Sequence, residues 1–436
     1  MIRVLNLAGN KLHGKLPASI GNLTFLTNLA LGANNVEGEI PSSIGIENCL
    51  SKSLLRLELS QNHLVGSLPQ WLGQLKNLVR LDLSNNFLYG PIPDSLGSLQ
   101  NLSVLLLNGN ELNGTLPESL GQLSELSSLD VSSNQLTGMI TETHFSNLGK
   151  LKYLRLSSNS FTMNIRSNWV PIFQVWRLDI HSCHLGPSFP VWLNSQKEVN
   201  DLDLSDANIS GSIPNWFWEH SSKLSSLNVS YNRLEGHLPS PLKLASNAVV
   251  DVSSNLFKGS IPLPSDNFYF LDVSKNKLSG TIPYNNSGSL MFLSISDNQI
   301  TGEIPASISN NPGLQVIDLS NNNLIGSIPS VFVNCFYIKA LDLSKNNLSG
   351  RIPADLGFLS MLQTLHLNDN NLNDNNLSGE IPSSFQNLAS LERLDLGNNR
   401  LTGTIPAWIG KGLEGLRILR LRGNAFSGEL PPVLFI

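Results

Sequence analysis

One phrase of sequence recurs along the whole chain, and it constrains the fold more than any other feature. LNLAGNKLHGKLP begins at Leu5, LDLSNNFLYGPIP at Leu81 and LDLGNNRLTGTIP at Leu394. The asparagine of the phrase usually returns after twenty-four residues, about eighteen times if Cys183 and Ala207, which hold its position in two copies, are counted. Similarity at a fixed period indicates one structural unit stacked many times. The sequence therefore predicts a solenoid.

Each part of the phrase has a physical role in such a coil. In LxxLxLxxN the leucines alternate with other residues, as a short strand with one buried side requires. The asparagine amide both donates and accepts hydrogen bonds, so stacked copies are expected to satisfy backbone groups in a buried turn. The glycine and proline of LxGxIP suit a turn and an extended segment. We expect an α/β repeat solenoid, a right-handed superhelix with a parallel β-sheet of about eighteen strands on its concave face.

Composition and motifs argue against several other functions. The net charge of -5 and the absence of a polybasic stretch disfavour nucleic-acid binding. No run of eighteen or more apolar residues is present, so no part of this chain is expected to span a membrane. A GxGxxG match at 410–415 precedes a predicted strand instead of following one, which is the wrong context for a nucleotide site. We therefore predict no enzymatic activity, no catalytic residues and no cofactor.

Two groups of polar residues resemble functional sites, but neither is predicted to be one. His181, Cys183 and His184 look like metal ligands, but strand alternation turns the cysteine inward and both histidines outward, so no metal site is predicted. The aspartates of the LDLS segments form a row across the strands and are expected to be a solvated face. The members of that row are Asp82, Asp130, Asp203, Asp318, Asp342 and Asp395.

The three cysteines are too few for a disulfide framework. Cys183 occupies an inward position of the repeat and Cys335 lies just ahead of a strand, so both are predicted to be small buried hydrophobic residues. Cys49 lies in an enlarged spacer and is expected to be the most reachable of the three.

The repeat runs to both ends of the chain. Met1 opens directly into a repeat strand, and the last residues come after a GxIP-type element. We therefore expect one solenoid domain over residues 1–436, truncated at both ends, with no caps, island, transmembrane or kinase segment.

The consensus LxxLxLxxNxLxGxIPxxLGxLxxL resembles the plant-type subclass of leucine-rich repeats. The segment from Trp169 to Trp218 resembles the central repeats of plant receptor-like proteins, including the fungal-xylanase receptors. This resemblance implies a glycoprotein on the extracellular side of the plasma membrane that acts in defence or developmental signal transduction. Its implied partners are an extracellular protein or peptide ligand and a co-receptor kinase, with membrane attachment only through segments absent from this chain.

Three alternatives stay open. The repeats fit the ectodomain of a leucine-rich repeat receptor kinase equally well. A secreted protein similar to the polygalacturonase inhibitors is the second alternative, although those have about ten repeats and this chain has about eighteen. A purely structural scaffold is the third.

Ligand contact is expected on the concave strand face, where the x positions of LxxLxLxx present side chains in rows. Most of these positions are small and polar, and two regions differ. The first combines aromatic and cationic groups, which are typical of binding anchors: Tyr153, Arg155, Trp176, Arg177 and His181. The second is a smaller aromatic patch: Tyr269, Phe270 and Phe292.

Eight N-x-S/T sequons are candidate glycosylation sites and favour an exported chain. They are Asn22, Asn101, Asn113, Asn208, Asn228, Asn285, Asn347 and Asn376.

One irregularity interrupts the period. NDNNL occurs twice in succession after Leu367, so the step from Asn370 to Asn399 is twenty-nine residues, five more than usual. Only one copy can fill the asparagine position. We expect the surplus to loop outward and the coil to recover its phase by Ile381 and Pro382.

Overall fold

The computed structural model describes residues 2–45, 50–262, 268–283, 288–370 and 377–432. The chain divides into two compact units, Met1–Ser210 (unit 1) and Gly211–Ile436 (unit 2). Each unit is a stack of short parallel strands and turns that repeats with the sequence phrase, which confirms the predicted fold class of about eighteen plant-type repeats. That the chain forms a single solenoid domain over residues 1–436 stays a prediction.

The LxL segments form a parallel sheet in each unit, here called the main sheet. Equivalent leucines lie side by side in register, as Leu57, Leu81 and Leu105 do, and all three are fully buried. The residues between them face outward, as strand alternation requires. In the described part of unit 1 the main-sheet strands are Val4–Asn6, Asn28–Ala30, Arg56–Glu58, Arg80–Asp82, Val104–Leu106, Ser128–Asp130, Tyr153–Arg155, Arg177–Asp179 and Asp201–Asp203. In that of unit 2 they are Ser226–Asn228, Ala248–Asp251, Phe268–Asp272, Phe292–Ser294, Val316–Asp318, Ala340–Asp342, Thr364–His366, Arg393–Asp395 and Ile418–Arg420.

A second set of parallel strands comes after the asparagine turn. Its glycine adopts a positive φ, for example 97° at Gly66, a region that favours glycine. The strands of this set in unit 1 are His13–Lys15, Asn35–Gly38, His63–Ser67, Phe87–Pro91, Glu111–Thr115, Gln135–Ile140 and Ser160–Met163. Ser210–Ser212 lies across the unit boundary, and unit 2 contains Arg233–His237, Leu256–Gly259, Lys277–Thr281, Gln299–Glu303, Asn323–Ser327, Asn347–Arg351, Leu377–Gly379 and Arg400–Leu401.

Short helices close most coils, as the SLGQL-type segments predict. A proline in extended conformation usually precedes them, for example Pro93 with φ -74° and ψ 136°. The 3-10 helices are Ala18–Asn22, Ser42–Gly45, Leu50–Lys52, Gln70–Gln74, Asp94–Ser98, Glu118–Gln122, Glu142–Phe145, Val191–Ser195, Ser221–Lys223, Ala306–Asn310, Ser330–Asn334, Ala354–Phe358 and Ser383–Asn387. In the described part of the chain, two α-helices lie at Asn215–His220 and Ile409–Gly412.

The asparagines act as predicted. Asn86 Nδ2 donates to the carbonyls of Leu83 and Leu59, each at 3.1 Å, and its Oδ1 accepts the Leu64 amide at 3.0 Å. One side chain thus satisfies groups of its own turn and of the preceding repeat. Leaving such a buried group unpaired costs about 1–3 kcal/mol. Where Cys183 replaces the asparagine, its thiol donates to the carbonyl of Leu156 at 3.4 Å.

An aromatic cluster packs beside the main sheet in the segment that resembles receptor-like proteins. Trp169 contacts the rings of Phe145, Phe173 and Trp192, with centroids 5.8–6.1 Å apart. Phe173 is almost completely buried. The unusual composition of this segment therefore builds the coil interior as well as the surface.

The coil keeps its register on both sides of the irregular repeat. Leu365 pairs with Leu394 in the main sheet, and Gly379 pairs with Leu401 in the second set, so the predicted recovery of phase is confirmed. Asn370 fills the asparagine position and is fully buried. Residues 371–376, which contain most of the surplus, lie outside the described residues. The next asparagine, Asn399, has no hydrogen-bond partner for its Oδ1 among the described residues.

Both cysteines predicted to be buried are buried and free. Burial raises the pKa of the Cys183 thiol to about 12 and that of the Cys335 thiol to about 11. Cys49 lies outside the described residues.

Candidate ligand-binding surface

The five anchor residues predicted in unit 1 lie together on the outward face of the main sheet. They are called the unit 1 patch: Tyr153, Arg155, Trp176, Arg177 and His181. Tyr153 pairs with Arg177 across neighbouring strands, and Arg155 pairs with Asp179. The rings of Tyr153 and Trp176 are 5.8 Å apart, and both side chains are 44% exposed. The strand register thus places an aromatic pair beside two arginines.

The two arginines are held by carboxylates of adjacent strands. Arg155 Nη1 lies 3.4 Å from Asp130 Oδ2, and its Nε lies 3.8 Å from Asp179 Oδ2. Arg177 Nε lies 3.2 Å from Asp201 Oδ2, although neither Nε makes a well-directed hydrogen bond. The guanidinium groups are therefore fixed by ion pairing, and their long side chains have lost much of their freedom before any ligand arrives.

His181 is also fixed by its neighbours. Its Nδ1 lies 2.8 Å from Asp179 Oδ1, and its Nε2 lies 2.9 Å from the Ser158 hydroxyl. The side chain is about one third exposed. It therefore presents an oriented ring edge to solvent.

Asp179, His181 and Asp203 bring three potential metal-ligating atoms within 4.8 Å of one another. The sequence interpretation, which considered only the HSCH segment, missed this cluster. Its ligand atoms are already engaged, since His181 bonds to Asp179 and Asp203 Oδ1 accepts the Ser205 hydroxyl at 2.6 Å. Arg155 adds a positive charge beside Asp179. The arrangement is that of an ion-pair network, and no metal is assigned to it. Cys183 is buried away from both neighbouring histidines, as predicted.

The acidic partners of this patch were not anticipated. The aspartate row was expected to be solvated, and this expectation is wrong for several members: Asp82, Asp130 and Asp395 are buried. Their Oδ1 atoms turn toward the residue two positions later, and the Ser132 hydroxyl donates to Asp130 at 2.6 Å. The serine of the LDLS segment was the signal that could have predicted this. Burial also raises the pKa of Asp201, with Arg177 acting in the opposite direction.

The second predicted patch lies on the main-sheet face of unit 2. Phe270 and Phe292 occupy paired positions, and their rings stack at 4.1 Å and 10°. Tyr269 sits where the register shifts between Ala248 and Val249, and it is 44% exposed. Unlike the unit 1 patch, this surface contains no cation among its predicted residues.

The sequons occupy different environments. The side chains at four of them are exposed in unit 1, whereas those of Asn228 and Asn347 are half-buried. The exposed positions are Asn22, Asn101, Asn113 and Asn208. The remaining candidates, Asn285 and Asn376, lie outside the described residues.

Within the described ranges, no helix has the length and hydrophobicity needed to cross a bilayer.

Residues 1–237 match the family model described as leucine-rich repeat region. The chain belongs to the leucine-rich repeat family. Further leucine-rich repeat models match residues 289–332, 312–372 and 371–426.

The family resemblance proposed from the sequence is confirmed by similar proteins. Receptor-like protein EIX2 of Solanum lycopersicum is 42% identical over 299 residues, which cover 68% of this chain and 26% of that protein. Receptor-like protein EIX1 of the same organism is 41% identical over 129 residues, 29% of this chain and 12% of that protein. This leucine-rich repeat chain therefore matches about a quarter or less of the length of these relatives.

Solved structures agree with this family. The Arabidopsis receptor kinase HAESA, in complex with the peptide hormone IDA and the co-receptor SERK1, superimposes with a TM-score of 0.84 at 34% identity. The match covers 98% of this chain and 71% of that one. Leucine-rich repeat receptor ectodomains are a non-enzymatic kind of protein, and this structural relative is bound to a peptide.

Proposed function

We propose that this chain is the ligand-recognising part of the ectodomain of a plant cell-surface receptor-like protein. It has no enzymatic activity of its own and acts at the extracellular side of the plasma membrane in defence or developmental signalling. Two similarities support this function. The curated relatives are named receptor-like proteins, and the HAESA ectodomain is bound to a peptide and a co-receptor. We extend those partners, an extracellular protein or peptide and a co-receptor kinase, to this chain.

The unit 1 patch is the observation that best supports ligand binding. Tyr153 and Trp176 present exposed aromatic surface, and Arg155 is already fixed beside them by two carboxylates. Aromatic and arginine side chains contribute most of the binding free energy at many protein interfaces. Ion pairing lowers the entropy lost on binding, because the side chains are ordered beforehand.

A selection with displayed peptides tests this function. A library of random twelve-residue peptides is panned on the full 436-residue chain, and the affinity of each enriched peptide is measured by calorimetry. We expect Trp176→Ala to weaken binding by more than about 1 kcal/mol, roughly fivefold. Tyr89→Ala is the matched control, because Tyr89 is a similarly exposed aromatic residue on the second strand set of the same unit. Equal affinities for wild type and Trp176→Ala, with both folded, would exclude the patch.

The similarity to HAESA favours a second candidate function, the ectodomain of a leucine-rich repeat receptor kinase. Both candidates use the same recognition surface and differ in the segments on its C-terminal side in the full-length protein. Sequencing the complete transcript separates them, because a kinase signature is present in only one. A protein similar to the secreted polygalacturonase inhibitors remains a third hypothesis.

A further inference from the structure

The main-sheet face of unit 2 carries an exposed apolar row across four neighbouring strands. The pairing places Val249 beside Phe270, Phe270 beside Phe292, and Phe292 beside Val316. Val249 is exposed, and the other three side chains are half-buried. Phe270 and Phe292 form a stacked, flat platform at the centre of the row. Each of the four side chains therefore keeps part of its apolar surface accessible.

An acidic row runs beside the apolar one. Asp251, Asp272 and Asp318 lie two positions further along three of these strands, so they face the same side of the sheet. Ser294 holds the equivalent position on the remaining strand. Two residues of a strand span about 7 Å, so each carboxylate lies roughly that far from the apolar side chain of its own strand.

These three carboxylates lack counter-ions within the described part of the chain. The Oδ1 atoms of Asp251 and Asp272 each accept a backbone amide two residues ahead, from Ser253 and Ser274, both at 2.9 Å. Asp318 accepts the hydroxyl of Ser320 at 2.6 Å. None of the three has an ion pair among the described residues, whereas the aspartates beside the unit 1 patch face its arginines.

The surrounding groups do not neutralise this row. Burial raises the pKa of Asp272, and the negative charges of Asp251 and Asp318 raise it further. Tyr269, Met291 and Gln315 border the apolar row on the side away from the carboxylates. Gln315 also accepts a hydrogen bond from Lys339 Nζ at 3.0 Å, which directs that cation toward the amide.

We propose that this two-row face of unit 2 binds an extended polypeptide segment in which apolar and basic residues alternate. Successive side chains of an extended segment point to opposite sides. A segment that lies across the strands therefore places one set against Phe270 and Phe292 and the other against the carboxylates. The inference rests on the proposed recognition function and adds the chemical class of the partner and a surface separate from the unit 1 patch.

Charge complementarity selects this partner over other occupants. An anionic membrane or a nucleic acid would bring negative charge to an uncompensated acidic row. A second copy of this chain has a net charge of -5 and would place the same acidic row against itself in a two-fold contact. A basic and apolar segment supplies the missing counter-ions and covers the aromatic platform.

Synthetic peptides test the proposal directly. Three fluorescent ten-residue probes contain alternating Leu and Arg, alternating Leu and Glu, or alternating Ser and Arg, and their binding to the full chain is followed by anisotropy. We expect the Leu/Arg probe to bind at least tenfold more tightly than either of the others. We also expect the preference over the Leu/Glu probe to shrink as salt screens the carboxylates.

Variants locate the site. Asp272→Asn and Phe292→Ala are each expected to weaken binding of the Leu/Arg probe at least fivefold. The matched controls are Asp82→Asn, which removes an aspartate paired with Arg80, and Tyr89→Ala, which removes an exposed aromatic ring outside the main sheet. Neither control should change the affinity by more than twofold.

Three outcomes would overturn the proposal: equal binding of the Leu/Arg and Leu/Glu probes, unchanged affinity in Asp272→Asn, or equal losses in the controls. If Phe292→Ala fails to fold, the Asp251→Asn, Asp318→Asn double variant gives a further measurement, and unchanged affinity in it is equally decisive. A negative result with these probes does not affect the Trp176→Ala measurement, and a negative Trp176→Ala measurement does not affect these probes. Each hypothesis can therefore be contradicted without the other.

Discussion

The main-sheet faces of the two units are built on the same repeat, and they differ in whether neighbouring arginines pair with the outward-facing aspartates. In unit 1, Arg155 lies between Asp130 and Asp179 on the neighbouring strands. In unit 2, Asp251 and Asp272 hold the equivalent positions on two paired strands that carry no arginine, and Phe270 and Phe292 occupy the adjacent column. The repeat fixes the backbone and the inward leucines, while the outward positions are free to vary. Two chemically different surfaces therefore arise on one scaffold without any change of fold.

This difference separates two ways of preparing a surface for a partner. The unit 1 patch is neutralised internally, so its exposed aromatic rings stand on a rigid, ion-paired base. The acidic row of unit 2 has no counter-ion among the described residues, so a cationic partner can neutralise it. The first arrangement favours shape and aromatic contact, and the second favours charge.

The largest expected effect is on the rate at which thiol reagents label the buried cysteines of the coil interior, one in each unit. Because the Cys183 and Cys335 thiols are buried and their pKa values are raised to about 12 and 11, neither should react while its unit is folded. In a Cys49→Ser background, labelling by a disulfide reagent at pH 8 should be roughly a hundredfold slower or more than in concentrated guanidinium. Mass spectrometry of tryptic peptides measures each thiol separately. Fast labelling of only one would show that the two units are not equally closed.

The second prediction tests whether ion pairing supports the unit 1 face. Arg155→Ala leaves the mostly buried Asp130 without its counter-ion and Asp179 with only its contact to His181, which should lower the free energy of unfolding by about 1–3 kcal/mol. Guanidinium unfolding followed by circular dichroism measures the change. Arg166→Ala is the control, because that side chain is 84% exposed. Equal stability of both variants would contradict the idea that the arginines organise this face.

Particular residues show how far the sequence could predict this molecule. The asparagine position and the LxL leucines each have a function that every coil repeats, so the repeat, the strand pairing and the burial of Cys183 could be predicted from spacing alone. The partners of Arg155 could not, because they lie 25 residues before it and 24 residues after it, on the two neighbouring strands, and depend on which rotamer reaches which neighbour. The burial of Asp130 was likewise missed, since it results from a local bond to Ser132 instead of from hydrophobicity.

The candidate surface was likewise predictable only in part, because repeat spacing places its residues but does not determine their side-chain contacts. The sequence predicted which outward positions carry large side chains, and these do cluster by register. It did not predict the stacking of Phe270 on Phe292 or the absence of counter-ions around Asp272 among the described residues, because both depend on side-chain contacts across strands. The repeat therefore predicted where the surface lies, and the strand pairing in the structure showed which of its side chains stack and which have counter-ions.

The third prediction compares one aspartate from each face. Burial raises the pKa of Asp272, so its charged form is disfavoured in the folded state. Asp272→Asn should therefore change the free energy of unfolding at pH 7 by no more than about 0.5 kcal/mol, in the stabilising direction. Asp130→Asn should destabilise, because it weakens the pairing with Arg155. Parallel guanidinium titrations of both variants measure the contrast, and destabilisation of the same size in each would remove the distinction between the two faces.

The fourth prediction concerns His366, which lies beside Asp342 on the main-sheet face of unit 2. His366 Nδ1 lies 3.0 Å from Asp342 Oδ2, and this hydrogen bond raises the pKa of His366, although burial opposes the shift. Asp395 adds to the increase and Arg420 reduces it. Burial alone would raise the pKa of Asp342, but the hydrogen bonds from His366 and Ser344 outweigh it and lower that pKa.

These two shifts set the direction of the pH dependence. A histidine with a raised pKa in the folded state stabilises fully below its unfolded value, about 6.5, and loses that contribution as the pH rises through the folded value. The lowered pKa of Asp342 contributes stability above its unfolded value of about 3.9, and this is lost as the pH falls through its folded value. Wild type should therefore exceed His366→Gln in stability most clearly between about pH 4 and 6.5. The pair is about one third exposed, so the difference should be about 0.5–1 kcal/mol.

Unfolding titrations at pH 5.5 and 8.5 measure the change, with His237→Gln as the exposed control in the same unit. A difference between wild type and His366→Gln that persists undiminished at pH 8.5 would show that packing, and not the charged pair, stabilises this end of the acidic column.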